Sequence, residues 1–380
     1  MVADKTIITG SNFNNPMVVT GTLTVNPKVI KTDDLILSVA KTYDGNTNIT
    51  RSNTTVTPSA STIKTGDTVS VYGIGSFTDA NVNTNKKITL NAFIEGADSS
   101  NYALDSGGIT KNIGQISQLE SVNYTGASGG KWSDPTNWNN GAIPINGNVA
   151  QVVIPIGVRV VYDYESLSGT IISNENGTDK TVNKLPTSTI LNNGGILNIL
   201  VNVNITFSNT VSGTGSVSLS GTGVVTINTA NTYSGGTNIN SSKLIIGNAN
   251  AIGSGEITSS NGTLQVTSGV ILPNITVNGP VKLASDIKTT GAQTYNGAVI
   301  LDAGYASGET ITPMIISTVD GNITFGGTLA AGNEALATKQ SLNINAGGAT
   351  SKITFNDTVG SLLTSTEPAG TYGDYLKILG

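Results

Sequence analysis

Asp163 and Glu165 are the carboxylate pair whose spacing is best suited to chemistry in this chain. They are predicted to lie on one strand, where side chains at positions i and i+2 share a face. Two carboxylates about 5 to 9.5 Å apart in a cleft can cleave a glycosidic bond as acid and base. A sugar-acid substrate also needs a basic partner, and Arg159 is the only arginine in this half of the chain. We therefore favour the alternative, an exposed acidic strand edge. Two other close pairs are Asp33 with Asp34 and Glu175 with Asp179.

The chain contains no histidine and no cysteine. This composition excludes Ser–His–Asp and Cys–His triads, the common zinc sites and any disulfide framework. We therefore expect no catalytic residues and no enzymatic activity.

Calcium is the cofactor that the loops could bind, through Asp44 in "YDGN" and Asp79 in "TDANVN". Calcium prefers carboxylate and carbonyl oxygens, which both loops supply. Aspartate at a turn more often accepts hydrogen bonds from nearby backbone amides. We therefore treat Asp44 and Asp79 as weak calcium candidates and expect no bound cofactor.

Trp132 and Trp138 are the only tryptophans of the chain. Exposed indole rings can stack on sugars, so glycan binding is one interpretation. The other is that the rings cap the start of a stacked-strand structure, covering an edge that would otherwise be exposed. We favour the cap. Tyr43, Tyr72 and Tyr102 are similarly expected in a core, with hydrogen-bonded hydroxyls.

Charge excludes one class of partner. Only 11% of the residues are charged and the net charge is −5. Nucleic-acid binding requires clustered Lys and Arg, and the nearest cluster, Lys86–Lys87, is interpreted as a solvated turn. No apolar run is long enough to span a membrane as a helix. The N-terminal residues "MVADKTIITGSNFNN" lack the apolar region of a signal peptide.

Strand patterns run along the whole chain. Segments such as "MVVTGTLTV", "QVVIPIGVRVV" and "SVSLSGTGVVTI" alternate apolar and polar residues and are separated by Gly and Asn-Gly. The sequence therefore predicts an all-β protein. Its predicted parts are the closing strands of a preceding repeat (1–30), a compact β-sandwich-like module (31–117) and a longer repetitive domain (118–380) with a tryptophan-containing cap at its start (122–157).

The segment 31–117 resembles the YDG-type repeat of bacterial haemagglutinin-like proteins and adhesins. The resemblance implies a β-sandwich-like module of about seven strands. The matching positions are Lys41, Tyr43, Asp44, Gly45, Gly66, Asp67, Thr68, Val69, Phe77, Asp79, Asn81, Val82, Gly96, Ala97, Asn101 and Tyr102.

The segment from residue 122 resembles passenger domains of bacterial autotransporters. "NYTGASGGKWSDPTNWNNGAIPINGN" is similar to their start, and "NTYSGGTNINSSKLIIGNANAIGSGEITSSNGTLQV" (231–266) to their passenger-associated repeat. Later segments, such as "GNITFGGTL" and "QSLNINAGG", resemble repeats of filamentous-haemagglutinin-type adhesins. These resemblances imply a right-handed parallel β-helix. Independently, apolar pairs recur about every 20 to 25 residues, which is typical of a solenoid. Expected interior residues are Ile196, Leu197, Ile199, Val217, Leu219, Val225, Ile227, Leu244, Ile246, Leu264 and Val266.

The expected function is that of a non-enzymatic fragment of a large bacterial surface adhesin, acting in attachment, aggregation or biofilm. Its partners would be cell-surface glycans or proteins of a host or of bacteria, or further copies of itself, and its location extracellular. Two alternatives remain open: a self-assembling matrix or filament subunit, and, less favoured, a polysaccharide-degrading β-helix enzyme.

Overall fold

A computed structural model describes residues 6–8, 17–19, 26–59, 62–105, 107–145, 147–163, 168–171, 180–183, 190–302, 306–307, 310–311, 313–331, 342–360 and 378–379. The backbone alone is described for residues 6–8, 17–19, 168–171, 180–183, 190, 192, 306–307, 310–311, 331 and 378–379. The chain forms two compact units, Met1–Ser117 and Gln118–Gly380.

The described residues of unit 1 form strands of two to 13 residues and three 3₁₀-helices. Its strands are β1 (Thr6–Ile8), β2 (Met17–Val19), β3 (Lys28–Ile30), β4 (Leu35–Thr42), β5 (Asn48–Ile49), β6 (Thr54–Pro58), β7 (Ser70–Phe77), β8 (Asn83–Glu95), β9 (Tyr102–Leu104) and β10 (Gly108–Ser117). The 3₁₀-helices are η1 (Thr32–Asp34), η2 (Arg51–Asn53) and η3 (Ser99–Asn101).

The main element of unit 1 is a six-stranded sheet with the order β5-β7-β8-β10-β4-β6. Its pairs are antiparallel except β10 with β4. Two separate pairs, β1-β2 and β3-β9, complete the unit. Strand β8 shows the alternation that the sequence predicts, with Ile88 and Leu90 buried and Thr89 exposed. The prediction of two packed sheets is not confirmed by this topology.

Unit 2 contains β11 to β39. The strands are β11 (Leu119–Asn123), β12 (Gly130–Lys131), β13 (Val149–Ile154), β14 (Arg159–Asp163), β15 (Ser168–Ile171), β16 (Lys180–Asn183), β17 (Ile190–Asn193), β18 (Ile196–Leu200), β19 (Ile205–Phe207), β20 (Thr210–Ser212), β21 (Ser216–Ser220), β22 (Val224–Ile227), β23 (Thr237–Asn240), β24 (Lys243–Ile246), β25 (Ile257–Ser260), β26 (Gly262–Val266), β27 (Ile275–Asn278), β28 (Val281–Leu283), β29 (Ile287–Thr289), β30 (Gln293–Tyr295), β31 (Val299–Leu301), β32 (Ala306–Ser307), β33 (Thr310–Ile311), β34 (Met314–Thr318), β35 (Ile323–Phe325), β36 (Leu329–Ala331), β37 (Leu342–Ala346), β38 (Ile353–Phe355) and β39 (Ile378–Leu379). Two 3₁₀-helices, η4 (Pro135–Asn137) and η5 (Asn139–Gly141), lie between β12 and β13.

Four parallel sheets organise unit 2. They are sheet A (β11-β13-β17-β20), sheet B (β12-β14-β18-β21-β23-β25-β27-β30-β35-β38), sheet C (β19-β22-β24-β26-β28-β31-β36) and sheet D (β29-β34-β37-β39). From β21 to β28 the chain alternates between sheets B and C. From β29 to β36 the strands belong to sheets D, B and C in turn, except for the separate antiparallel pair β32-β33.

Paired residues on neighbouring strands of sheet B are separated by a constant number of sequence positions in several successive layers, where a layer is one passage of the chain through the sheets. Leu197 pairs with Val217, Val217 with Thr237 and Thr237 with Ile257. Each step is 20 residues, and side chain–backbone hydrogen bonds across the layers, such as Asn231 to Ala251, repeat the same separation. The step is 18 residues between Val277 and Tyr295, although β29 of sheet D lies between them. It is 30 residues between Tyr295 and Phe325, where the separate antiparallel pair β32-β33 also lies.

Most inward positions of these layers are apolar, as the sequence predicts, with Thr237, Thr289 and Gln293 as fully buried polar exceptions. Ten of the eleven expected interior residues are buried, with Leu197, Ile199, Leu219 and Leu244 at 0% exposure. Ile196 is the exception, at 38% exposed. It precedes the inward-facing Leu197, and consecutive side chains of a strand point to opposite faces.

Glycine permits close approach of the layers at one side of sheet B. A Cβ atom on Gly215 would overlap the backbone carbonyl of Gly195, in the layer before it. This position therefore requires a residue without a side chain.

The all-β prediction is confirmed, since the described residues include many strands and no α-helix. None of them forms a helix long and apolar enough to cross a membrane.

Candidate functional site

The "YDG" loop is built around the ammonium group of Lys41. Lys41 lies on the buried face of β4 and is only 8% exposed. Its Nζ donates to four oxygens: Asp44 Oδ1 at 2.7 Å, Asn46 O at 2.8 Å, Asn46 Oδ1 at 3.1 Å and Asn48 O at 3.0 Å. The ammonium therefore occupies the centre of the loop, where its charge is matched by one carboxylate and three neutral oxygens.

Local backbone geometry gives the loop this shape. Gly45 has a φ of +78°, in the left-handed region that favours glycine. The Asn46 amide donates to Asp44 Oδ1 at 3.2 Å, and the Asn48 amide donates to Asn46 Oδ1 at 2.8 Å. These turns direct the loop oxygens toward one point, where Lys41 Nζ lies.

Calcium does not fit the site at Asp44. The oxygens that were expected to bind the ion already accept hydrogen bonds from Lys41. A calcium ion needs six to eight oxygen ligands, and here it would face a buried ammonium of like charge. The favoured alternative was that the aspartate accepts from a nearby backbone amide, and Asp44 Oδ1 accepts from the Asn46 amide. The sequence analysis did not anticipate the Lys41 ammonium as a further partner.

Asp79 is held in a similar way, by Lys86. Lys86 is 6% exposed on β8, and its Nζ lies 2.6 Å from Asp79 Oδ1. The same carboxylate oxygen accepts from the Asn81 amide at 2.8 Å. The calcium candidate at Asp79 therefore fails for the same reason. The interpretation of Lys86–Lys87 as a solvated turn is also wrong for Lys86, because alternation along β8 turns this side chain to the buried face.

No group of three or more acidic side chains in the described residues is arranged to hold a metal ion. This result covers both loops.

Of the three tyrosines expected in a core, two are buried and one lies on the outer face of the six-stranded sheet. Tyr43 and Tyr102 are buried, and the Tyr102 hydroxyl donates to Asp67 Oδ2 at 2.7 Å while accepting from the Lys64 amide at 3.0 Å. Tyr72 is half-buried and lies between the buried residues Val71 and Gly73. It therefore faces away from the core, contrary to the prediction.

Tyr72 is part of a stack on the outer face of unit 1. Its ring is parallel to that of Phe93, with the centroids 5.2 Å apart, and the Arg51 guanidinium lies 4.6 Å from its centroid. Arg51 also binds both carboxylate oxygens of Glu95. Hydrogen bonding from Arg51 lowers the pKa of Glu95, and the bond to Glu95 raises the pKa of Arg51.

Trp132 and Trp138 form the centre of an aromatic cluster at the start of sheet B. Their ring centroids are 4.7 Å apart in an edge-to-face arrangement, and Tyr162 and Tyr124 pack against the outer sides of the pair. Trp132 Nε1 donates to Pro144 O at 2.9 Å, and Trp138 Nε1 donates to Trp132 O at 2.8 Å. Both indole N–H groups are thus satisfied inside the protein.

Burial leaves neither indole ring an open face for a sugar. Trp132 is 0% and Trp138 2% exposed. The glycan-stacking interpretation does not fit this geometry, because stacking requires an accessible ring. Trp132 directly follows β12, the first strand of sheet B, which is where the capping interpretation requires it. The cap stays a prediction.

Asp163 has a structural role rather than the exposed position that we favoured. It is 5% exposed, and its carboxylate accepts from Ser133 N at 3.0 Å and from Ser133 Oγ at 2.6 Å. Glu165, Glu175 and Asp179 lie outside the described residues. Asp33 and Asp34 are exposed in η1.

Comparison with known proteins gives a match for the first unit. Residues 18–110 match a family described as the YDG domain. This segment contains both lysine-centred loops, with Lys41 and Asp44 in one and Lys86 and Asp79 in the other. No curated protein and no solved structure matches the chain.

Proposed function

We propose that this chain is a non-enzymatic part of a large secreted or surface-displayed bacterial adhesin, in which unit 2 is a right-handed parallel β-helix and unit 1 a YDG-type module. The observation that carries the proposal is the 20-residue register of sheet B from Leu197 to Val277, with mostly apolar side chains buried beneath it. Such a stack is the geometry of a solenoid, whose length can extend a binding surface away from a cell.

The match to the YDG domain supports the same proposal from the other unit. Polar contacts between layers add to it. Asn278 Nδ2 donates to Glu256 Oε2 at 2.7 Å, and Asn296 Nδ2 donates to Asn278 Oδ1 at 2.7 Å. These side chains lie on the exposed surface and form a continuous polar strip, which suits binding across a face. Partners would be cell-surface glycans or proteins, or further copies of the chain, in an extracellular location.

The test is display of residues 1–380 on a non-adherent bacterium, compared with the display anchor alone. We expect attachment to host cells or aggregation of the displaying bacteria above the anchor control. Display of residues 1–117 and 118–380 separately locates the activity in one unit. Equal attachment and aggregation with and without the chain would overturn the proposal. Reversible self-association of the purified chain in sedimentation, without attachment to other cells, would favour the structural-subunit alternative.

A further inference from the structure

A groove lies where sheet D begins in unit 2. Strand β29 is the first strand of this sheet, and in the layer before it the chain turns away over residues 267–271 instead of forming a strand. The turn is closed by the Val270 amide, which donates to Thr267 O at 3.0 Å. After it, Leu272 rejoins the sheet beside Thr289. The displaced turn and the face of β29 and β34 enclose a groove of about 580 Å³.

The floor of the groove is the outward face of β29 and β34. Ile287 and Thr289 point inward, so Lys288 and the flanking Asp286 are exposed. The register pairs Lys288 with Ser317 and places Asp286 beside Ile315. Asp286 Oδ1 accepts from the Ile315 amide at 2.8 Å, which fixes the carboxylate at the edge of the floor.

Several polar groups of this groove are available to a ligand. Gln265, Asp286 and Lys288 line it. Within the described part of the chain, no hydrogen bond or ion pair engages the Lys288 ammonium, the Gln265 side-chain amide or the second oxygen of Asp286. The groove therefore offers a ligand a hydrogen-bond donor in Lys288, an acceptor in Asp286 and an amide that does both in Gln265.

The charge and apolar content of the groove select the ligand class. One carboxylate and one ammonium balance each other, so the groove has no net attraction for a polyanion or a polycation. Ile271 and Ile315 are 37% and 39% exposed at its surface and offer apolar contact area. Sugar hydroxyls both donate and accept, and the C–H faces of a sugar ring are apolar. An uncharged sugar thus matches both kinds of surface.

The size of the groove and its continuation limit the ligand length. A volume of about 580 Å³ lies in the range of small-molecule sites. The next strand, β37, places Asn343 beside Ile315 and Asn345 beside Ser317. Their side-chain amides continue the polar surface across the sheet, so a longer chain can lie along it.

We propose that this groove binds an uncharged oligosaccharide, held by hydrogen bonds to Gln265, Asp286 and Lys288 and by contact with Ile271 and Ile315. The proposal rests on the adhesin function proposed above and assigns a glycan site to unit 2. Ligands of two or three sugar rings fill the groove, and the Asn343 and Asn345 amides contact longer ones.

The experiment measures binding of the full chain to immobilised neutral trisaccharides, with cellotriose, maltotriose and mannotriose as probes and a heparin oligosaccharide as the acidic comparison. We expect saturable binding of at least one neutral probe and no preference for heparin. Lys288→Met and Ile315→Ser should each weaken that binding about 10-fold or more, since a hydrogen bond to a charged group or a ring contact is lost. Lys282→Met, at an exposed position on β28 of sheet C, is the matched control and should bind as the unchanged chain does. Thermal unfolding of each variant shows whether the fold is kept.

The outcomes separate this proposal from the adhesin function. Binding of a neutral probe that all three variants retain would place the glycan site elsewhere and overturn the assignment. Attachment of displayed chain to cells without binding of any neutral probe would overturn the groove proposal and leave the adhesin function standing. Stronger binding of the heparin oligosaccharide than of every neutral probe would show that the ligand class is wrong. If the unchanged chain neither attaches to cells nor binds a neutral probe, both the adhesin function and the glycan site are overturned.

Discussion

The Lys41 ammonium lies 2.7 Å from Asp44 Oδ1 and is 5.7 Å from the centroid of the Phe77 ring. Lys41, on β4, thus contacts both the loop that follows β4 and the core residue Phe77. Lys86 and Asp79 form a second pair of the same kind, 2.6 Å apart. In both pairs the lysine is buried while the aspartate is half-exposed. The buried member is therefore the one whose removal should affect the fold most.

Replacement of Lys41 by methionine should destabilise unit 1 by about 2–3 kcal/mol, because Asp44 and the Asn46 and Asn48 carbonyls lose their donor. Hydrogen exchange of peptides from residues 35–58, measured in increasing urea, reports this loss. Lys87→Met, on the exposed face of β8, is the control and should change stability by less than about 0.5 kcal/mol. Equal effects of the two substitutions would contradict the role given to Lys41.

Calcium should leave unit 1 unchanged, because the loop oxygens near Asp44 and Asp79 already bind lysine ammonium groups. The measurement is hydrogen exchange of residues 41–48 and 78–87 with added calcium and with a chelator. Calcium-dependent protection of either segment would show that the ion displaces the lysine.

Trp132→Ala should destabilise unit 2 by about 3–5 kcal/mol, since a fully buried indole and its hydrogen bond to Pro144 are removed. Trp138 then remains as the fluorescent reporter for denaturant unfolding. Ile156→Ala provides the control, because Ile156 is 85% exposed. If Trp132→Ala cost no more than Ile156→Ala, the aromatic cluster would have no structural role.

Asn231→Ala should destabilise unit 2 by about 2–4 kcal/mol. Asn231 is buried, its Oδ1 accepts from Val211 N at 2.7 Å, and its Nδ2 donates to Ala251 O at 2.6 Å. One side chain therefore bridges three successive layers, and its loss leaves two buried backbone groups without partners. The half-buried Asn238 is a suitable control for denaturant unfolding. A small, equal effect of Asn231→Ala and Asn238→Ala would show that the bridge contributes little.

Alkaline pH should destabilise unit 2 through Tyr233. Burial raises the pKa of its hydroxyl to about 12, and the hydroxyl forms a hydrogen bond of 2.6 Å with Thr237. Because the folded-state pKa is raised, the contribution of neutral Tyr233 is fully present below pH 10 and is lost as the pH rises toward about 12. Burial also raises the pKa of Tyr295, so Tyr233→Phe should reduce the alkaline loss without abolishing it.

Unfolding midpoints between pH 9 and pH 12, with tyrosinate absorbance recorded in parallel, test this. This range extends from below the unfolded pKa of tyrosine, about 10, to the folded pKa of Tyr233, about 12. An unchanged pH dependence in Tyr233→Phe would contradict the assignment.

The sequence by itself determined the class of structure and most of the interior. Alternation of apolar and polar residues fixes which side of a strand is buried, so Leu197, Val217 and Leu244 were predictable as interior. The exposure of Ile196 was not predictable, because two adjacent apolar residues do not show which of them faces the interior until the pairing register of the strand is known. The composition also bounded the chemistry, because a chain with zero histidine and zero cysteine lacks the side chains of the common triads and zinc sites.

Only the tertiary structure decided what the polar residues do. Lys41 and Asp44 are close in sequence, yet the depth of Lys41 depends on β4 pairing with β10, a strand about 75 residues later in the chain. Tyr72 lies on a strand that alternates as predicted, but its side chain is on the outer face of the sheet. The neighbouring strands, rather than the local pattern, set which face of the sheet is buried. The groove at β29 joins residues from 265 to 317, and it exists because one layer lacks a strand that the next layer has. Local patterns specify strands. Which strands become neighbours is set by long-range pairing, and that pairing places the charges, the rings and the groove.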